Sequence, residues 1–315
     1  MEWLYIALGV VGFLVVATLV ISYVCFRMCF YSKPRKPLGD EIELPSGELY
    51  DKYVEDIKRW VREARALNPR ELTIKSHDGL TLRGKYYECD PDGIIEILFH
   101  GYRGSGERDL SAGVERCFAL GRNALIVDQR AGGTSDGSVI TFGILERLDC
   151  LRWIDKVLEE FGKDRKIILT GISMGGATVM LASGLKLPEN VVCILSDCGY
   201  SSNREIICKI VKEMKLPPRL AYPFLKLGAR LYGGFSLDLD SPEEAVKRAS
   251  VPIIFIHGDS DDFVPCYMSE KCYNACGSAH KKLVKVKGAG HGVAYPVDKD
   301  LYVNSLREFQ IECGF

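Results

Sequence analysis

Leu169-Thr170-Gly171-Ile172-Ser173-Met174-Gly175-Gly176-Ala177-Thr178-Val179-Met180 is the stretch on which the fold reading turns. Its centre, Gly171 to Gly175, matches G-x-S-x-G, a pattern that holds a serine on a tight turn between a strand and a helix. The chain carries the pattern twice, because Gly133-Thr134-Ser135-Asp136-Gly137 fits it as well. The flanks separate the two. Such a turn needs a buried strand running into the serine and small neighbours around a strained backbone. A helix must also start at once, so that its N-terminal amides face the reacting atom. Ser173 has Ile167-Ile168-Leu169 before it, glycines at 171, 175 and 176, and a helix-compatible run from Ala177 to Ala182 after it. Ser135 has only the small neighbours. The nearest apolar run ends at about Asp128, and Gly137-Ser138-Val139-Ile140-Thr141 does not start a helix. A chance match is expected in a chain with 31 glycines.

Outward from this stretch, apolar runs recur at residues 94–99, 124–127, 166–169, 191–195, 251–256 and 283–286. Most are short and β-branched, as suits strands buried on both faces. Helical patterns at 142–161 and 177–185 lie between them, which predicts a parallel sheet with helices on both sides. Residues 71–84 alternate around Asp78-Gly79 and read as a β-hairpin, preceded by an amphipathic helix at 51–66. The gap from 195 to 251 is too long for one crossover. Its pattern predicts a small helical insertion over the sheet's C-terminal edge, at about residues 201–245. Met214, Leu220, Tyr222, Phe224 and Leu225 either line an apolar pocket there or pack the insertion onto the sheet.

Trp3 to Phe26 carries no charge and, as a helix, reaches about 36 Å, enough to cross a hydrocarbon core of about 30 Å. The acidic start, Met1-Glu2, and the lack of a small-x-small site after the run argue against a cleaved signal peptide. Arg27, Lys33, Arg35 and Lys36 follow directly, so the positive-inside rule puts the rest of the chain in the cytoplasm. Residues 1–30 therefore read as a single-pass membrane anchor, 31–48 as a linker marked by Pro34 and Pro37, and 49–315 as one domain. Cys25 and Cys29 sit at the interface as membrane-embedded thiols or acylation sites. The twelve cysteines form no C-x-x-C pair, so neither a zinc site nor a disulfide framework is supported. The net charge of −1 offers no basic field for nucleic acid.

A serine hydroxyl needs a base, and the base an orienting acid. The chain order for this kind of turn is serine, acid, histidine. Of the five histidines, His77 lies in the hairpin turn and His280 precedes two lysines, so both read as solvated. His100 and His257 come too early. His291, in the glycine-flanked loop after the last strand, has the right place. Asp259, Asp261 and Asp262 all follow the 251–256 strand, and the residues alone do not choose among them. The backbone N–H of Met174 supplies one oxyanion donor, and the loop Phe99-His100-Gly101-Tyr102-Arg103-Gly104 the other, through Tyr102.

With these residues in order, the chain resembles the α/β-hydrolase superfamily from about Glu71 to Phe315. The match rests on His100-Gly101, the Asp128-to-Ser135 turn, the Ser173 elbow, His257-Gly258-x-x-Asp261-x-x-Val264-Pro265 and Gly290-His291. In that family two residues separate the acid from Val-Pro, which implies Asp261, with Asp262 next. The Asp128 turn is similar to the family's D-x-R-G-x-G-x-S, with Ala131 where glycine is usual, and this implies a structural role for Ser135. More narrowly, Ile140 to Asp149 and Ser196 to Ser202 resemble membrane-anchored bacterial members of a cinnamoyl-ester-hydrolase-like group.

The expectation is an α/β-hydrolase fold behind one transmembrane helix, working as a serine esterase on an acyl ester through Ser173, Asp261 and His291, without metal or cofactor. A peptidase or acyltransferase using the same residues is the second reading. The third is a non-catalytic, membrane-tethered binding protein on the same scaffold.

Overall fold

The computed structural model describes residues 1–33 and 39–315. Pro34, Arg35, Lys36 and Pro37, which entered the linker and orientation readings, lie outside them.

One long apolar helix comes first, α1 (Glu2–Cys29), followed by a short α2 (Glu48–Asp51) and the amphipathic α3 (Val54–Ala66). The hairpin β1 (Arg70–Lys75) and β2 (Thr81–Tyr87) leads into β3 (Ile95–Phe99), α4 (Gly106–Ala119), β4 (Asn123–Val127), α5 (Glu146–Phe161), β5 (Ile167–Ile172), α6 (Met174–Ser183) and β6 (Val191–Asp197). Three helices follow: α7 (Asn203–Glu213), α8 (Pro218–Tyr232) and α9 (Pro242–Lys247). The chain closes with β7 (Ile253–Gly258), α10 (Tyr267–Ala275), β8 (Lys281–Val286), α11 (Ala294–Val297) and α12 (Lys299–Cys313).

The sheet has eight strands in the order β1-β2-β4-β3-β5-β6-β7-β8. β2 is antiparallel to both β1 and β4, and all other neighbours are parallel. The continuous apolar runs become β3, β4 and β7, with every residue buried, because helices cover both faces. The order reverses at β3, which has β4 on one side and β5 on the other. A sheet opens a crevice at the C-terminal ends of strands around such a switch point.

The inner end of α1 is packed into the domain. Phe30 is fully buried and meets Phe142 and Phe235 edge-on, with ring centroids 5.7 and 5.4 Å apart. Part of the expected linker is built in too: Tyr31 forms a β-bridge with Val139, and Ser32 N–H donates to the Ser138 carbonyl (2.9 Å). α8 lies along α1. A Cβ at Gly228 would come within 2.3 Å of the Ser22 carbonyl oxygen, so glycine is what lets the two helices touch.

Candidate active site

β5 ends in the turn at Ser173, whose φ of 57° lies in the left-handed region that non-glycine residues rarely occupy. The neighbouring glycines are required by space. A Cβ at Gly171 would fall 2.0 Å from the Gly175 carbonyl oxygen, and one at Gly175 would fall 2.0 Å from that of Phe99. α6 starts at Met174, so Ser173 sits against the positive end of a helix.

The loop after β8 brings His291 over this turn. His291 Nε2 lies 2.9 Å from Ser173 Oγ, and its Nδ1 lies 2.7 Å from Asp261 Oδ2. A carboxylate at Nδ1 accepts the proton there and leaves Nε2 with the lone pair facing the serine. Asp261 is held in turn by the Phe263 and Val264 N–H groups, which donate to its Oδ1 at 2.9 and 2.8 Å. Burial pushes its carboxyl up, but hydrogen bonds from His257 and His291 outweigh this and hold it at about 2. Of the rival carboxylates, Asp259 ties Ser260 and Gly288 into the turn, and Asp262 is exposed.

His257, passed over for its place in the chain, is fully buried beside the acid. Its Nε2 lies 2.7 Å from the Val264 carbonyl oxygen and 3.2 Å from Asp261 Oδ2, so Nε2 must carry a proton. The chain-order rule speaks only of the base, so it gave no sign of this second imidazole on the carboxylate.

The loop after β3 is shaped by His100. Its Nε2 accepts from the Gln129 N–H (2.9 Å), which leaves Nδ1 to donate to the Gly101 carbonyl (2.8 Å). Gly101 N–H donates to Asp109 Oδ2 (3.1 Å). Among the described residues, the Tyr102 and Met174 amides donate no backbone hydrogen bond outside helices and strands. The Tyr102 hydroxyl donates to the Cys29 carbonyl (2.8 Å), and Arg103 Nη2 donates to those of Met28 (2.7 Å) and Tyr31 (3.0 Å). This loop therefore rests on the last turn of α1.

Ser135 is occupied elsewhere. Its hydroxyl donates to the Asp128 carbonyl (2.6 Å) and accepts the Arg83 N–H (2.8 Å), closing the turn after β4.

Ser173 and His291 open onto a cavity of about 610 Å³. Leu49, Tyr50, Tyr53 and Phe263 are among the residues that line it. None of Met214, Leu220, Tyr222, Phe224 and Leu225 lines it. Tyr222 and Leu225 are instead buried in a cluster with Phe26, Phe30 and Phe142, because α1 occupies the face of α8 that was available for a pocket. The wall comes from residues 45–60, including part of the expected linker, and Tyr50 donates to the His291 carbonyl (3.1 Å). At the inner end lie Thr170, Arg116, Asp197 and Tyr302. Arg116 and Arg122 pair there with the fully buried Glu96, and Tyr302 donates to Asp197 Oδ2 (2.8 Å). Burial raises Glu96, but the two guanidinium groups prevail and keep it ionised, at about 2.

The comparisons agree with this architecture. A family model described as alpha/beta hydrolase fold matches residues 97–221. The uncharacterized protein YqkD of Bacillus subtilis is 24% identical over 301 residues, 95% of each chain. An uncharacterized membrane protein of Saccharomyces cerevisiae, YNL320W, is 26% identical over 62% of this chain and 63% of its own. Among solved structures, the Pyrococcus furiosus esterase Pf2001 superposes with a TM-score of 0.66 at 20% identity, covering 90% of this chain and 98% of its own. Sheet order, elbow and family match together define the class. The chain has the α/β-hydrolase fold. At family level this is a hydrolase scaffold with esterases among its structural neighbours.

Proposed function

We propose that the chain is a membrane-anchored serine carboxylesterase. The observation that carries the reading is the continuous relay from Ser173 Oγ to His291 Nε2 (2.9 Å) and from His291 Nδ1 to Asp261 (2.7 Å), at the edge of a cavity sized for a small ligand. His291 Nε2 takes the Ser173 proton as Oγ attacks the ester carbonyl. The carbonyl oxygen gains the negative charge and is met by the Tyr102 and Met174 amides. Collapse expels the alcohol, which leaves with the proton from His291, and Ser173 keeps the acyl group. Water, deprotonated by the same imidazole, then releases the acid. Asp261 holds the tautomer and stabilises the imidazolium throughout. Within this scheme His257 is a positioning residue, because it meets the acid and not the substrate.

Residues 1–30 serve as the single-pass anchor, with the catalytic domain on the cytoplasmic side; the 28 residues of α1 and the basic Arg27 and Lys33 after its core support this. The test is fluorophosphonate labelling of wild type, Ser173→Ala and Ser135→Ala. Label should disappear only in Ser173→Ala; an unlabelled, folded wild type would sink the reading. Rates on matched ester, thioester and aminoacyl-peptide substrates separate an esterase from a peptidase or acyltransferase.

A further inference from the structure

Around α8 the residues fall into three parallel stripes, each at the i, i+4, i+7, i+11 spacing of one helix face. The first is Ala221, Leu225, Gly228 and Tyr232, which packs on α1: the Tyr232 hydroxyl donates to the Leu19 carbonyl (3.2 Å), and its ring meets Tyr23 edge-on at 5.2 Å. The second, one residue back and so about 100° around the helix, is Leu220, Phe224, Leu227 and Leu231. It is only partly covered: Leu220 is 67% exposed and Leu231 52%, with Phe224 and Leu227 half-buried between them. The third, another step around, is Arg219, Pro223, Lys226 and Arg230. From Met214 to Tyr232 the chain has four basic residues, counting Lys215, and no acidic one.

The exposed apolar stripe thus runs between the anchor helix and a row of cations. The depth of α1 says what lies against it. Its outer part, residues 2–18, is exposed or half-exposed throughout and reaches about 26 Å, close to a hydrocarbon core of about 30 Å. The edge of that core then falls near Leu19 to Tyr23, where Tyr232 touches α1. Tyr23, Tyr232 and Arg27, whose guanidinium lies 3.9 Å from the Tyr31 ring centroid, form the aromatic and basic girdle that helices place at headgroup level.

Because α8 runs antiparallel along α1, from the Phe30 end to Leu19, its C-terminal end sits nearest that edge. Resting on the anchor reading above, we propose that this C-terminal end of α8 enters the headgroup layer of the leaflet that α1 enters. Leu227 and Leu231, beside Tyr232, meet the acyl boundary, while Arg230 and, farther out along the same helix, Arg219 and Lys215 face anionic phospholipid phosphates. Lys226 is partly committed to Asp238. On this placement α8 is a second membrane contact that fixes the domain's tilt, not a lid that opens over the cavity.

The experiment uses the full chain in vesicles of phosphatidylcholine, with or without phosphatidylglycerol, doped with lipids brominated along the acyl chains. Trp60 and Trp153 are buried, so the difference between wild type and W3F reports the anchor. W3F/L231W against W3F reports α8, and W3F/I311W is an exposed control on α12. We expect quenching at 231, stronger with phosphatidylglycerol, and none at 311. Adding K215Q, R219Q and R230Q should remove the anionic increment while leaving the quenching of Trp3 intact. If Trp3 is quenched and position 231 is not, the α8 placement is wrong although the anchor stands. If Trp3 escapes quenching, the anchor reading falls and the proposal with it.

Discussion

Replacing Asp261 by asparagine tests the site most sharply, because the change is isosteric and its effects can be worked out separately for chemistry and stability. The side-chain oxygen left in D261N would still accept the Phe263 and Val264 N–H groups now held at 2.9 and 2.8 Å, so the loop has reason to stay in place. The amide N–H₂ would then face His291 Nδ1, 2.7 Å away in the wild type, and a donor there needs a lone pair on Nδ1. The proton moves to Nε2, which can no longer accept from Ser173 Oγ. A tautomer error of this kind costs on the order of 10⁴-fold in kcat. Stability follows a different course. The Asp261 carboxyl, ordinarily near 3.8, is held at about 2. At about 1.4 kcal/mol per tenfold change in proton affinity, this is worth roughly 2 kcal/mol at neutral pH. Because the folded value is the depressed one, that contribution is present above about pH 4 and fades as the pH falls towards 2. Nitrophenyl-ester turnover and denaturant unfolding, each at pH 7 and pH 3 for wild type and D261N in detergent, supply both numbers. A folded D261N retaining a tenth or more of wild-type kcat would refute the assignment of Asp261. A stability gap that widened towards pH 3 would refute the electrostatic account.

Ser135→Ala should keep full fluorophosphonate labelling and lose about 1–3 kcal/mol in denaturant melts, since it strips partners from the Arg83 N–H and the Asp128 carbonyl. Tyr102→Phe removes the hydroxyl on the Cys29 carbonyl but leaves the proposed oxyanion amide in the chain; steady-state kinetics should give a roughly 3- to 10-fold fall in kcat at unchanged KM, as one hydrogen bond's worth of loop positioning is lost. An unchanged kcat would mean the loop holds its shape without this hydrogen bond, on the Arg103 contacts alone. Glu96→Gln leaves Arg116 and Arg122 buried against a neutral partner and should cost about 3–5 kcal/mol by chemical denaturation.

The strands and the elbow were legible because each is written locally: β-branched runs, small residues at a strained turn, a helix directly after. The choice of Asp261 was not written locally. Three carboxylates share one loop, and it is Asp261 that His291, 30 residues away, approaches; the family's spacing, not the residues' own chemistry, was what pointed to it. The cavity wall was illegible for another reason. Glu48–Asp51 is a single helical turn with no periodicity to read, and it owes its place to contacts with loops far along the chain. The amphipathic pattern of α8 announced that something covers its apolar face but not what. α1 is apolar on all sides, so nothing in its sequence separated the residues that meet α8 from those left exposed.

The carbonyls that hold Tyr102 and Arg103 belong to Met28, Cys29 and Tyr31, so the anchor supplies part of the scaffold for the proposed catalytic loop. Under the proposed function, residence and competence become one property. A chain clipped by a protease just before residue 31 would shed a domain lacking two of these three supports, and the freed domain would turn over esters poorly wherever it diffused. Cleavage of the anchor then acts as an off-switch that needs no inhibitor.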